Sequence, residues 1–92
     1  MRTQVTQHDA TKVIRTLRAN GWGQYHGRDA DGRYCVRGAI AAALPVSHWN
    51  MAFVSLRAHL DRYLVSWNDD PHRTFDEVIV ALMKWRNTLP VA

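Results

Sequence analysis

The 92-residue sequence predicts a mainly helical fold, α+β only in a minimal sense. About four helices surround a central helix of small residues, with one short β-hairpin between the first two. Three observations carry this expectation. Apolar residues recur at helical spacing in several separate stretches. The block YCVRGAIAAAL, Tyr34 to Leu44, is apolar or small on nearly all sides, which suits a helix enclosed by others. The tetrad Thr74 to Glu77 has the form of a capping box and marks a helix start.

Taken in order, residues 1–7 are polar and expected to fray. From His8 to Asn20, Val13, Ile14 and Leu17 share a face with Ala10, opposite Lys12, Arg15 and Arg18, and Asn20-Gly21 supplies a stop. The Asp31-Gly32 pair lies in a polar turn, so a hairpin is expected with strands near Gly23–Gly27 and Arg33–Cys35. The second helix should run from about Cys35 to Leu44, because Pro45 disfavours a helical residue before it. Gly38 inside it costs about 1 kcal/mol relative to alanine, which points to a backbone or ring packed close by. A third helix should start near Ser47 or Asn50 and reach about Leu64, with Phe53, Leu56, Leu60, Tyr63 and Leu64 inward. The run Asn68, Asp69, Asp70, Pro71 breaks it. The last helix begins at Phe75 and presents Phe75, Val78, Ile79, Leu82 and Trp85 on one face up to Asn87.

A chain this short suits a single domain spanning 1–92. Apolar residues at 47% and charged residues at 22% are ordinary globular usage and argue against wholesale disorder. One cysteine allows no internal disulfide and makes a structural zinc site a poor fit. With neither a signal-peptide h-region nor an apolar run long enough to cross a bilayer, no membrane association is expected and the cytoplasm is the expected compartment. The net charge of +4 rests on twelve Lys and Arg against eight Asp and Glu, and ten of the twelve are arginine. Arginine favours planar contacts to carboxylate and phosphate, so an acidic protein or a nucleic acid is the kind of partner this charge suits.

Cys35 opens a helix, where a thiolate would be stabilised, and His26 on the facing strand is the best-placed base, with His48 and His59 as others. No protease or transferase signature surrounds it, and unpaired cysteine packs as a small hydrophobe, so a core role is expected instead. His8, His26, His48, His59 and His72 show no metal-ligand spacing. The glycines match neither a P-loop nor a dinucleotide fingerprint, so no metal or cofactor is expected. Cys35, Gly38, Asn68, Asp69, Thr74 and Glu77 form the candidate structural motif, with Asn68 and Asp69 turning or capping the chain.

The blocks DADGRYCVRGAI and WNDDPHRTFDEVIVALM resemble the two signature blocks of a small domain family of unknown function found in actinobacteria and their bacteriophages. That family similarly carries an Asp-Gly turn, a Cys-x-x-Gly-Ala helix start and a later Trp-Asn-Asp before a capped helix. The resemblance covers about residues 22 to 86 and departs from the family pattern at Lys84-Trp85-Arg86. It implies a compact intracellular accessory protein, phage-encoded in context, that modulates a host process. No activity, cofactor or catalytic residue comes with it.

Absent a catalytic constellation, a non-enzymatic interaction protein is the expected class. Its surface should be an aromatic patch rimmed by arginine, drawn from Trp22, Tyr25, Arg28, Arg33, Trp49 and Trp85. Nucleic-acid binding through Arg28, Arg33 and Arg37 with Trp22, Tyr25 and Tyr34 is the alternative, and a cysteine-dependent enzyme the third reading.

Overall fold

The computed structural model describes residues 4–91, and among them five α-helices: α1 Gln7–Asn20, α2 Val36–Ala43, α3 Val46–Leu60, α4 Leu64–Asn68 and α5 Phe75–Asn87. The fold is mainly helical, as apolar periodicity predicts. The start of α1 is capped where fraying was expected. Thr6 Oγ1 accepts the Asp9 N–H at 3.3 Å, and the Asp9 carboxylate accepts the Thr6 N–H at 3.2 Å. Val5 is buried, and the Gln7 N–H donates to the Pro90 carbonyl at 2.9 Å, tying the two ends together. The expected fraying of residues 1–7 is therefore corrected over 4–7, while 1–3 lie outside the described residues. Thr-x-x-Asp is a shorter-armed version of the usual Thr-x-x-Glu box, which is why the signal is easy to pass over.

The hairpin is not formed among the described residues. Two isolated bridges stand in its place, Trp22 with Tyr34 in parallel sense and Arg28 with Tyr34 in antiparallel sense. Tyr34 is shared between them. Its N–H donates to the Gly21 carbonyl and its carbonyl accepts the Gly23 N–H, each at 3.0 Å. Its neighbours face the other way: Asp29 N–H donates to the Arg33 carbonyl at 2.9 Å and Cys35 N–H to the Gly27 carbonyl at 3.2 Å. A segment that spends one residue on each partner cannot extend a ladder with either. The turn itself exists, with Gly32 N–H donating to the Asp29 carbonyl at 3.0 Å and Gly32 at φ +82°. Asp31-Gly32 thus marks a turn without paired strands.

Cys35 is the N-cap of α2, and its Sγ accepts the Gly38 N–H at 3.2 Å. Val36, Ala39 and Ile40 are buried, and α2 packs on α1, α3 and α4. Its other side is open. Arg37 and Ala42 are exposed, Gly38 and Ala41 only half-buried, so α2 is not the enclosed rod that its composition suggests. A β-carbon at Gly38 would overlap the Gly27 carbonyl oxygen. Glycine there admits loop backbone, which explains a residue that weakens the helix by itself.

The expected third helix divides in two. Asp61 takes the left-handed conformation, φ 55° and ψ 33°, ending α3 at Leu60, and α4 begins three residues later. Aspartate is among the few side-chain-bearing residues that visit this region readily. Tyr63 is consequently exposed, where an inner stripe was expected, and Leu64 and Trp67 turn inward from α4. The last helix follows the sequence reading. Thr74 Oγ1 accepts the Glu77 N–H at 3.2 Å and Glu77 Oε1 accepts the Thr74 N–H at 3.3 Å.

The core joins Val13, Ile14 and Leu17 of α1 to Ile40 of α2, Leu56 of α3 and Val78, Leu82 and Trp85 of α5. Each such large side chain contributes about 1.5–3 kcal/mol relative to exposure. Trp85 is fully buried and its Nε1–H donates to Ser55 Oγ at 3.0 Å, so it leaves the candidate interaction surface. A second tie, His48 Nδ1 at 3.3 Å from both carboxylate oxygens of Asp9, links the first turn of α3 to α1.

Candidate functional site: an arginine-flanked aromatic cleft

The loop between α1 and α2 is irregular, yet one side chain holds it in place. Asn68, the last residue of α4, is 1% exposed. Its Oδ1 accepts the Trp22 Nε1–H at 2.7 Å and the Val36 N–H at 2.9 Å. Its Nδ2 donates to the Gly23 carbonyl at 3.1 Å and to Asp69 Oδ1 at 2.9 Å. Two donors face the oxygen and two acceptors face the nitrogen, so every hydrogen-bonding position of the amide is used. Asp69 Oδ1 also accepts the Tyr25 N–H at 2.9 Å, and Gln24 Nε2 donates to the carbonyls of Asn68 and Asp70 at 3.1 and 2.8 Å. Tyr25, at φ +73°, turns the chain here and is 69% exposed.

This anchoring creates a cleft of about 320 Å³ between the loop and helices α2, α3 and α4. Cys35, Gly38 and Ala41 wall one side, Trp49 and Phe53 of α3 another, and Leu64 of α4 a third; Tyr25, His26, Arg37 and Asp69 complete it. Past Arg37, Phe53 and Val65 it continues into a more open groove with Val54, Arg57 and Tyr63. Val54 and Val65 are both more than half exposed, so this face presents apolar surface to water. The Arg37 guanidinium lies over the Phe53 ring at 5.1 Å and that of Arg57 over the Tyr63 ring at 4.0 Å. Among the described residues neither has a carboxylate partner.

Of the residues expected to form the surface, Tyr25 and Trp49 line this cleft. Trp49 is half-buried, its Nε1–H donating to the Leu44 carbonyl at 2.8 Å. Trp22 is held by Asn68 and stacks on Phe75 at 6.4 Å between centroids, which makes it a brace. Arg33 is bound to Asp29 at 2.7 Å and lies 3.4 Å from Asp31. Arg28 lies over Tyr34 at 5.2 Å, away from the cleft. Arg37, which the sequence offered only for nucleic-acid contacts, belongs to the face, as do Arg57 and Tyr63, which were not expected there. The signal for Arg37 is its place beside Gly38 and Ala41 on the open side of α2. Tyr63 becomes legible only once the helix is broken at Asp61.

Cys35 borders the cleft and is almost entirely covered, at 9%. The packing role expected of it is thus refined: the thiol forms cleft wall and caps α2. His26 lines the same cleft, but among the described residues no hydrogen bond joins it to Cys35. No group of three or more His, Cys, Asp or Glu side chains is placed to hold a metal among the described residues.

Two carboxylates carry the local electrostatics. The backbone N–H of His72 holds Asp70 below the ordinary aspartate value of 3.8, with Arg73, Arg62 and His72 adding to the effect against partial desolvation. For Asp29, desolvation pushes upward, but the amides of Arg33 and Asp31 and the Arg33 guanidinium outweigh it, so the net direction is again down. A carboxylate depressed in the folded state stabilises fully above its unfolded value and loses that contribution as the pH falls through the folded one. Carboxyl ¹³C titrations of Asp29 and Asp70 should therefore give midpoints below 3.8, with the His72 amide resonance moving together with Asp70. A midpoint at or above the ordinary value would contradict the hydrogen bonds described for that loop.

Residues 1–86 match the family described as "Family of unknown function (DUF6197)", and the chain belongs to that family. No curated protein and no solved structure matches it. Among the described residues no helix is long and apolar enough to cross a membrane.

Proposed function

We propose that this DUF6197 member is a non-enzymatic binding module. It takes an acidic segment of a partner protein, with large apolar side chains, into the aromatic cleft and the groove beyond it. The observation that carries this is the pair Arg37 and Arg57, lying over Phe53 and Tyr63 beside exposed Val54 and Val65, with no carboxylate partner among the described residues. Apolar surface supplies affinity, and unpaired guanidinium groups supply charge complementarity to an acidic partner. The actinobacterial and phage resemblance suggests that the partner is a cytoplasmic host protein and that this chain is a phage-encoded accessory factor.

A random-peptide display library panned on the protein tests the reading. Enriched sequences should combine Asp or Glu with aromatic or large aliphatic residues. Their affinity should fall about tenfold or more in Arg57→Glu and in Val65→Asp, at unchanged melting temperature. Enrichment of basic sequences, no enrichment, or affinity indifferent to both substitutions would overturn it.

The shared cleft of Cys35 and His26 favours a second reading, thiol chemistry with the imidazole as base. It requires rapid alkylation by iodoacetamide in the native state at neutral pH. Labelling that needs denaturant removes it. Nucleic-acid binding has less to draw on, because Arg33 is committed to Asp29 and Trp22 to Asn68.

A further inference from the structure

We infer that the inner cleft is a subsite for an apolar group carrying a carboxylate, with Arg37 as the residue that selects the carboxylate. This deepens the partner-binding reading and rests on it for the biological source of the ligand. At about 320 Å³ the cleft has room for one large side chain or a ring-sized acid, and sits at the small end of ligand pockets. Gly38, Ala41, Trp49, Phe53 and Leu64 offer that group an apolar enclosure. The polar groups around it differ in what they have left to give. Asp69 Oδ1 already accepts from Tyr25 and Asn68. Arg37 lines both the cleft and the outer groove, is exposed, and makes no salt bridge among the described residues.

The Arg37 guanidinium carbon lies 5.1 Å from the Phe53 ring centroid and the group has no carboxylate partner among the described residues, so its N–H fork is left for a ligand and matches the two oxygens of a carboxylate. A multiply charged phosphate is the poorer match, because Asp69 lines the same cleft and Arg57 lines only the outer groove. The ligand chemistry is therefore a monoanionic carboxylate attached to a hydrophobic body. Two sources share it: the C-terminal residue of a partner segment and a free aromatic or aliphatic acid.

Titrations followed by amide chemical shifts separate these sources and test the site. The probes are 4-phenylbutyrate with 4-phenylbutanamide, and the peptide acetyl-Gly-Ser-Gly-Trp as free acid and as C-terminal amide. On the wild type, at least one acid should bind about tenfold tighter than its amide, with shifts at Gly38, Ala41 and Phe53. Arg37→Gln should erase that preference without weakening the amide, and Arg37→Lys should restore only part of it. Arg15→Gln, on the exposed face of α1, should leave it intact. Preference for the peptide acid alone assigns the site to a chain terminus, and preference for the small acid alone to a free ligand.

Equal binding of acid and amide, or a preference that survives Arg37→Gln, overturns the subsite. The partner reading fails separately. Display-selected peptides that depend on Arg57 and Val65 would uphold it even where acids and amides are not distinguished. An Arg37-dependent acid with no selectable peptide would leave the subsite standing alone.

Discussion

Asn68→Ala is expected to lower the unfolding free energy by about 3–5 kcal/mol and the melting temperature by roughly 15–30 °C. The size follows from what the substitution strands. Trp22 Nε1–H, the Val36 N–H and the Gly23 carbonyl all lose their partner at Asn68, in a region where that side chain is 1% exposed. A buried polar group left unpaired costs about 1–3 kcal/mol, and three such groups form one network. Water entering the space would recover part of this, which keeps the expectation below the simple sum. Since small domains hold about 5–15 kcal/mol in total, this single change removes a large share of their margin. The cleft should suffer too, because Asp69 and Gln24 position Tyr25 from the same corner. Urea denaturation of the two proteins measures the difference. A loss under about 1 kcal/mol would mean that Asn68 is replaceable and that something else holds the loop.

What the sequence reveals about this architecture depends on how local the cause is. The start of α5 is set by Thr74 and Glu77, three residues apart, so it can be read directly. The inward face of α5 is equally local: Val78, Leu82 and Trp85 recur at helical spacing, and that periodicity alone argues for burying Trp85. Tryptophan enrichment at interfaces is a weaker guide than the position of this one within its stripe.

The loop from Gly21 to Cys35 is a different case. Its alternating residues resemble strands, but its hydrogen bonds are divided among three short backbone pieces and a side chain more than thirty residues away. No window of sequence contains that information. The break at Asp61 is intermediate, since aspartate is acceptable on an exposed helix face and equally so in a left-handed cap. Choosing the cap turns Tyr63 outward over Arg57 and brings Leu64 to the cleft, so one undecided residue hides half of the candidate site.

Gly38 is where local preference and tertiary packing give opposite signs, and the packing should win. Alanine is the better helix former by about 1 kcal/mol, so Gly38→Ala in an isolated α2 would stabilise it. In the folded protein its β-carbon would overlap the Gly27 carbonyl oxygen, which is backbone and cannot rotate aside as a side chain would. That carbonyl also accepts the Cys35 N–H at 3.2 Å, next to the Arg28–Tyr34 bridge. Moving it means giving up the closure of the loop. Overpacking of this kind costs about 1–3 kcal/mol and sometimes more, so a net loss of about 1–3 kcal/mol is expected.

Gly27→Ala supplies the contrast. An added β-carbon there meets nothing within 4 Å, and Gly27 is not among the residues at positive φ, so its effect should stay within about 0.5 kcal/mol. Both glycines line the cleft, and a displaced Gly27 backbone would carry neighbouring His26 with it. Gly38→Ala should therefore also weaken acid binding, while Gly27→Ala leaves it near wild type. If urea melts show Gly38→Ala to be neutral or stabilising, the loop can retreat from α2 at little cost. The cleft would then be an adjustable opening, without the rigid walls on which selection by Arg37 depends.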